Sequence, residues 1–141
     1  MRFVDASVFV HAFIKPRRKL KEHEIKIKES AKKIVQRIND GEKVAITTTQ
    51  ITEISNLLES YMPLEHAQEI LDFLLNSSNV RVFSATKKNY LKALEIAKEK
   101  KAGLNDCIAF VVMKENGFDE IYSFDSDFDR LGLKRNCHEK M

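Results

Sequence analysis

The sequence predicts an α/β fold: a three-layer α/β/α sandwich with a mainly parallel sheet of four to five strands. Short β-branched or aromatic runs alternate along the chain with longer stretches in which apolar residues recur at helical spacing. Capping and stop residues such as Thr49, Thr86 and Gly41 separate the two kinds of segment. Strands that alternate with helices in this way pair in parallel, and the helices cover both faces of the sheet.

The individual elements follow from these two patterns. Ala31, Ile34, Val35 and Ile38, for example, recur at the intervals that predict one face of a helix. The strands are expected at 2–4, 44–48, 80–83 and 120–124, with a short edge strand near 133–135. The helices are expected at 7–14, 30–39, 50–61, 63–75, 87–100 and 105–116, with Ser7 and Thr49 among their caps.

Length and composition indicate a single domain, 1–141. A chain of 141 residues with 43% apolar content can fill one core without disulfides. Cys107 and Cys137 have neither a CxxC partner nor a zinc-like spacing. Asp5 and His11 interrupt the apolar N-terminal stretch, and no apolar run approaches the ~20 residues that span a bilayer. We therefore expect a cytoplasmic protein without a membrane segment.

Positive charge is concentrated in one segment, 15–33, which we call the basic segment. It holds nine Lys or Arg residues against three Glu, so its net charge is +6, whereas the whole chain carries +3. Such a segment attracts a polyanion, or it forms a solvated charged helix or loop. The sequence leaves both interpretations open.

Four acidic residues stand where predicted strands end or the following helices begin. Asp5 and Asp125 follow two strands, whereas Glu53 and Asp106 lie in the first turns of two helices. Ligands of parallel sheets bind outside the carboxyl ends of the strands, so we expect all four side chains at one edge. A single Asp at such a position is usually a helix cap, but four at one edge favour a binding site.

The surroundings of these acids favour a divalent cation as their counter-ion. Apolar runs flank Asp5, Asp106 and Asp125, and burial of an uncompensated charge is costly. No Lys or Arg lies within three residues of Asp106. Oxygen ligands without a His or Cys cluster favour Mg²⁺ or Mn²⁺ over zinc or copper.

Four short motifs, in this order, resemble those of the PIN-domain family and cover residues 2 to about 131. They are FVDASVF with Asp5 and Ser7, TTTQITEISNLL with Glu53, GLNDCIAFVV with Asp106, and IYSFDSDFDRL with Asp125 and Asp127. The resemblance implies an endoribonuclease, a hydrolase, whose acids bind Mg²⁺ or Mn²⁺ and which cleaves RNA. Many prokaryotic members of this family are VapC-type toxins of toxin–antitoxin pairs.

The resemblance also implies roles for single residues. In SFDSDF the fourth acidic position of the family matches Asp125, and Asp127 is a further ligand that binds directly or through water. The hydroxyls of Ser7 and Ser123 would orient a carboxylate or a metal-bound water, although Ser7 is equally suited to cap its helix. A bound cation makes water easier to deprotonate, so no Ser, Cys or His nucleophile is needed, and Glu53 would orient or activate that water.

The expected partners are an RNA substrate, a second copy of the chain and, for a toxin, an antitoxin protein. The first predicted helix carries the start of the basic segment roughly 12 Å from the acidic edge, at ~1.5 Å per residue, a distance that an RNA strand can span. The residues expected to contact RNA phosphates are Lys15, Arg17, Arg18, Lys19 and Lys21.

Other interpretations compete with the toxin. An RNA-processing nuclease of the same family, or a catalytically idle module that binds RNA or protein, would share these motifs. An aspartyl phosphatase normally needs a second Asp two residues after the first, where this chain has Ser7, and a receiver domain needs a lysine signature that we do not find. His11 and His66 are rival bases, but histidines in amphipathic helices usually pack or face solvent.

Overall fold

A computed structural model describes residues 1–136 and contains one parallel five-stranded sheet. The strand order is β3-β2-β1-β4-β5, and every neighbouring pair is parallel. The strands are β1 Arg2–Val4, β2 Val44–Thr47, β3 Val80–Phe83, β4 Glu120–Tyr122 and β5 Lys134–Asn136. Helices cover both faces, so the predicted fold class is confirmed, including the edge strand near the C-terminus.

Seven helices connect or follow the strands in the described part of the chain. They are α1 Ala6–Phe13, α2 Glu22–Asn39, α3 Thr48–Tyr61, α4 Leu64–Asn76, α5 Lys87–Lys100, α6 Leu104–Glu115 and α7 Asp127–Arg130. Within residues 1–136, none of these helices is both long and apolar enough to cross a membrane.

The predicted start of the second helix was wrong by eight residues. The helix was expected at 30–39, but α2 begins at Glu22. The carboxylate of Glu24 accepts a hydrogen bond from the backbone N–H of Lys21 and forms a salt bridge with Arg18. These two contacts fix the first turn of α2. Because this turn is held by charged groups rather than by apolar contacts, apolar spacing did not reveal it.

Two predicted helix caps also need correction. Ser7 and Thr49 were expected to cap the first and third helices, but the caps are Asp5 and Thr47, each two residues earlier. The Asp5 carboxylate accepts from the backbone N–H of Ser7, and the Thr47 hydroxyl accepts from that of Gln50. Each helix therefore starts at the carboxyl end of its strand, which brings α1 and α3 directly to that edge of the sheet.

Apolar side chains form one cluster on each face of the sheet. Val4 of β1 packs into the cluster beneath α1, α2, α3 and α4, and its neighbour Phe3 packs into the opposite cluster beneath α5, α6 and α7. This alternation is what a central strand covered on both faces requires. Leu58 of α3 is fully buried in the first cluster, whereas Leu75 of α4 is 54% exposed.

We expect Leu58→Ala to lower the free energy of unfolding by about 2–5 kcal/mol, because it removes buried apolar atoms and leaves a cavity. Leu75→Ala is the matched control and should change it little, since that side chain is largely in water. Urea unfolding followed by circular dichroism measures both changes. Similar values for the two variants would contradict the placement of α3 in the core.

Candidate active site

The predicted acids surround the carboxyl ends of the two central strands. Asp5 follows β1 and Asp125 lies shortly after β4, the neighbour of β1. The chain runs from β1 to β2 on one side, and β4 lies on the other, so this edge is the point at which strand order reverses. Open parallel sheets bind ligands at such a point. Glu53 in α3 and Asp106 in the first turn of α6 complete the group.

Asp5 is the most constrained of these carboxylates, with 5% of its surface exposed. Its Oδ2 accepts hydrogen bonds from the Ser7 backbone N–H at 3.2 Å and from the Ser123 hydroxyl at 3.1 Å. Its Oδ1 accepts from the Gln50 amide at 3.3 Å. Burial raises the pKa of Asp5, and these hydrogen bonds act against that rise. Both oxygens are therefore held in place by the surrounding chain.

The hydroxyls of Ser7 and Ser123 connect Asp5 to the loop that carries Asp125. The two hydroxyl oxygens lie 3.3 Å apart. The Ser7 oxygen accepts from the backbone N–H of Phe124 at 3.0 Å, and the Ser123 oxygen accepts from that of Asp125 at 2.9 Å. Both serines thus contact the acidic loop, and this network fixes the direction in which the chain leaves β4.

Three aspartates form a compact cluster beside Asp5. Asp106, Asp125 and Asp127 each offer one carboxylate oxygen, and these oxygens lie within 4.8 Å of one another. The backbone N–H of Asp127 donates to Asp125 Oδ1 at 2.9 Å, which fixes the turn between them. Arg130, one turn later in α7, forms a salt bridge with Asp127. The cluster is partly buried, so water screens its charges incompletely.

Burial and the crowding of like charges raise the pKa values of two acids in this site. Burial raises the pKa of Asp106 to about 8, together with the charges of Asp5, Asp125 and Asp127. Burial also raises the pKa of Glu53, as do the charges of Asp5 and Asp125, while a hydrogen bond from Asn105 lowers it. Glu53 Oε1 is buried and has no hydrogen-bond partner among the described residues. The site therefore concentrates acidic groups, and among the described residues only Asp127 of these has a salt bridge, to Arg130.

The other predicted residues are not members of this cluster. Lys15, Arg17 and Lys19 lie in the exposed loop between α1 and α2. His66 is exposed on α4, and the ring of His11 contacts Phe124 edge to face, with ring centroids 5.4 Å apart.

Three site residues were not predicted: Gln50, Asn105 and Arg130. Gln50 belongs to a reciprocal cap with Thr47, so the spacing Thr-x-x-Gln could have identified its position, although not its bond to Asp5. Asn105 directly precedes Asp106. Arg130 lies three residues after Asp127, a helical spacing that becomes visible only once α7 is known.

Comparison with known proteins gives a consistent result. The PIN-domain family model matches residues 2–134, whereas no curated protein matches the chain. VapC20 from Mycobacterium tuberculosis, a toxin that cleaves the sarcin–ricin loop, superposes with a TM-score of 0.73 at 23% identity, over 94% of this chain and 96% of that one.

Two further solved structures have the same fold. VapBC2 from Rickettsia felis, bound to DNA from its promoter, has a TM-score of 0.66 at 15% identity, over 98% of each chain. A toxin–antitoxin complex from Klebsiella pneumoniae has a TM-score of 0.59 at 13% identity, over 89% of this chain and 88% of that one. Because the family model spans nearly the whole sequence, the chain belongs to the PIN-domain family.

Proposed function

We propose that this protein is a Mg²⁺- or Mn²⁺-dependent ribonuclease that hydrolyses RNA phosphodiester bonds. The observation that carries the proposal is the convergence of Asp5, Glu53, Asp106, Asp125 and Asp127 at the reversal point of the sheet. Nuclease activity is the function of the PIN family, so the fold and the acids support the same conclusion.

The acids are suited to a hard divalent cation. The three clustered aspartates offer oxygen atoms at separations that one ion can bridge. Glu53 contributes a buried oxygen with no partner among the described residues, which is costly unless something binds it. No His of residues 1–136 lies in the cluster, and Cys107, the buried residue after Asp106, is not a member of it. This donor set favours Mg²⁺ or Mn²⁺ over zinc.

The residues of the site would have different roles in hydrolysis. A divalent cation supplies an acidified water and polarises the scissile phosphate. Asp106, Asp125 and Asp127 would hold the cation, with Asp5 beside them. Glu53, with its free oxygen, would orient the attacking water and receive its proton.

Two serines and Gln50 give this arrangement its rigidity. They bind Asp5 and the backbone of the Asp125 loop, so the carboxylates keep their positions without the ion. Ser7 and Ser123 therefore act as positioning residues.

We further propose that the protein is the cytoplasmic toxin of a type II toxin–antitoxin pair, with an antitoxin as partner and a homodimer as the active form. The structural similarity to a Klebsiella toxin–antitoxin complex supports the partner. Exposed apolar side chains offer surface for such contacts. They include Tyr61 of α3, Leu64 of α4, and Tyr90, Leu91 and Leu94 of α5.

Cleavage of a panel of RNAs by the purified protein tests this function. We expect cleavage with Mg²⁺ or Mn²⁺ and none with EDTA. Asp5→Asn and Asp106→Asn should each reduce cleavage more than about 100-fold. Mutation of a residue that only hydrogen-bonds to a metal ligand already reduces metal affinity or activity 10–100-fold. Asp119→Asn, an exposed position away from the cluster, is the control and should cleave normally. Wild-type cleavage by Asp106→Asn would overturn the assignment of that residue.

Stability without metal gives an independent test. The unfolded chain ionises Asp106 near its ordinary pKa of 3.8, whereas the folded chain keeps the proton until about pH 8. Between these values, folding stability therefore falls as the pH rises. The Asp106→Asn variant does not suffer this fall in stability. With EDTA, the melting temperature of the variant should therefore exceed that of the wild type by several degrees at pH 8 and by less at pH 5.

Scanning calorimetry measures the difference, with Asp119→Asn as the control. Added Mg²⁺ or Mn²⁺ should raise the melting temperature of the wild type by mass action but not that of a variant lacking Asp5, Glu53, Asp106 and Asp125. Equal metal-induced shifts in both proteins would place the ion elsewhere.

The loop between α1 and α2 is proposed to contact RNA through Lys15, Arg17, Arg18, Lys19 and Lys21. Replacing Arg17, Arg18 and Lys19 with Ala should weaken RNA binding. It should also reduce the slope of log affinity against log salt concentration by up to about 2, at ~0.7 for each lost phosphate contact. Cleavage at saturating RNA should hardly change. Fluorescence anisotropy at several salt concentrations measures the slope. An unchanged slope would identify the loop as a solvated segment.

A further inference from the structure

A second basic surface includes Phe124, the residue that directly precedes Asp125. It is a pocket of about 470 Å³ between α2 and the carboxyl end of β5, hereafter the α2–β5 pocket. It is lined by Lys26, Ile27, Glu29, Ser30, Lys33, Phe124 and Arg135. Three basic residues and one acidic residue give it a positive charge beside a negatively charged site.

Helix geometry explains why these residues meet. Lys26, Ser30 and Lys33 are separated by four and three residues, so they share one face of α2 and extend along about 10 Å of it, at ~1.5 Å per residue. Lys26 forms an ion pair with Glu22 at 3.8 Å, but both side chains are largely exposed, so this pair is weak. Lys33 has no ion pair or hydrogen bond within the described residues.

Arg135 is held in a defined orientation at the other side of the pocket. Its Nε and Nη2 each donate to a carboxylate oxygen of Asp129 at 3.2 Å. Nη1 has no such bond within residues 1–136, so its two N–H groups are available to an anion. Asp129 lies in α7 with Asp127, and the salt bridge thus connects this guanidinium to the helix that carries part of the acidic cluster.

Phe124 joins the pocket to the active site. It directly precedes Asp125, and its backbone N–H donates to Ser7. Its half-buried ring and Ile27 provide apolar surface beside the basic groups. Charge next to an aromatic ring suits a nucleotide, because phosphates bind the charges while a sugar or base contacts the ring.

We propose that the α2–β5 pocket binds a backbone phosphate of the RNA strand on one side of the cleavage point. This inference rests on the proposed ribonuclease function and adds the path of the substrate to it. Lys26, Lys33 and Arg135 neutralise the phosphate, and the adjoining nucleotide lies against Phe124. Lys28, on the same helix, does not take part, because its ammonium group donates to the backbone oxygens of His11 and Ile14.

The test is equilibrium binding of a fluorescein-labelled single-stranded RNA by the full chain in EDTA, where cleavage cannot interfere. Replacing Lys26 and Lys33 with Ala should weaken binding about 10-fold and flatten the salt slope by up to about 0.7, the value for one lost phosphate contact. The matched control replaces Lys98 and Lys100, two exposed lysines at the end of α5, and should leave the slope unchanged. With Mg²⁺ or Mn²⁺, the first variant should show a raised KM and a normal kcat.

The outcomes separate this inference from the function on which it rests. A wild type that neither binds nor cleaves RNA would overturn both. A wild type that cleaves RNA, with the same affinity and salt slope in the Lys26/Lys33 variant, would overturn only the pocket. Equal losses in the two double variants would also overturn it, since they would reflect total charge rather than this site. Melting temperatures verify that both variants fold.

Discussion

Repulsion among buried and partly buried carboxylates is the constraint on which the active edge of this protein depends. Parallel strands point their carboxyl ends at the same edge, and the order β2-β1-β4 brings the residues that follow β1 and β4 together. The helices that start beside them add Glu53 and Asp106. The fold of the backbone sets the position of each acid. None can move away unless the strand or helix that carries it loses its packing. When ionised, these five acids repel one another, a cost that protonation or a bound cation would relieve.

The acids do not share this cost equally. Asp5 is the most buried, yet it accepts three hydrogen bonds, which offset part of the cost of its burial. Glu53 and Asp106 lack comparable support, and Arg130 provides a positive partner only for Asp127. One carboxylate is thus fixed by the protein while others remain available to an ion. This arrangement suits a metal site. The fixed carboxylate, Asp5, would define the geometry of the site, and the carboxylates without such support would bind the ion.

Sequence reasoning found the elements that apolar spacing specifies and missed those fixed by polar contacts. All five strands and the helices from α3 to α6 were predicted to within a few residues. The first two turns of α2 were missed because Glu24 holds them through Arg18 and the backbone of Lys21. At the site, the edge position of the four acids followed from strand order. The bond from Gln50 to Asp5 joins residues 45 positions apart, and no local pattern contains that information.

The acidic edge creates a difficulty for any nucleic-acid substrate, because it repels the phosphates that it must bind. A cation removes the repulsion at one phosphate only, and the Debye length of about 8 Å at physiological salt leaves the neighbouring phosphates within range of the remaining charge. For the proposed function, positive groups beside the edge would therefore hold the strand. Lys26 and Lys33 of α2 and Arg135 of β5 line the α2–β5 pocket, and Asp129 of α7 keeps Arg135 in place. Asp127 of the acidic cluster and Asp129, which holds Arg135, thus lie on the same short helix.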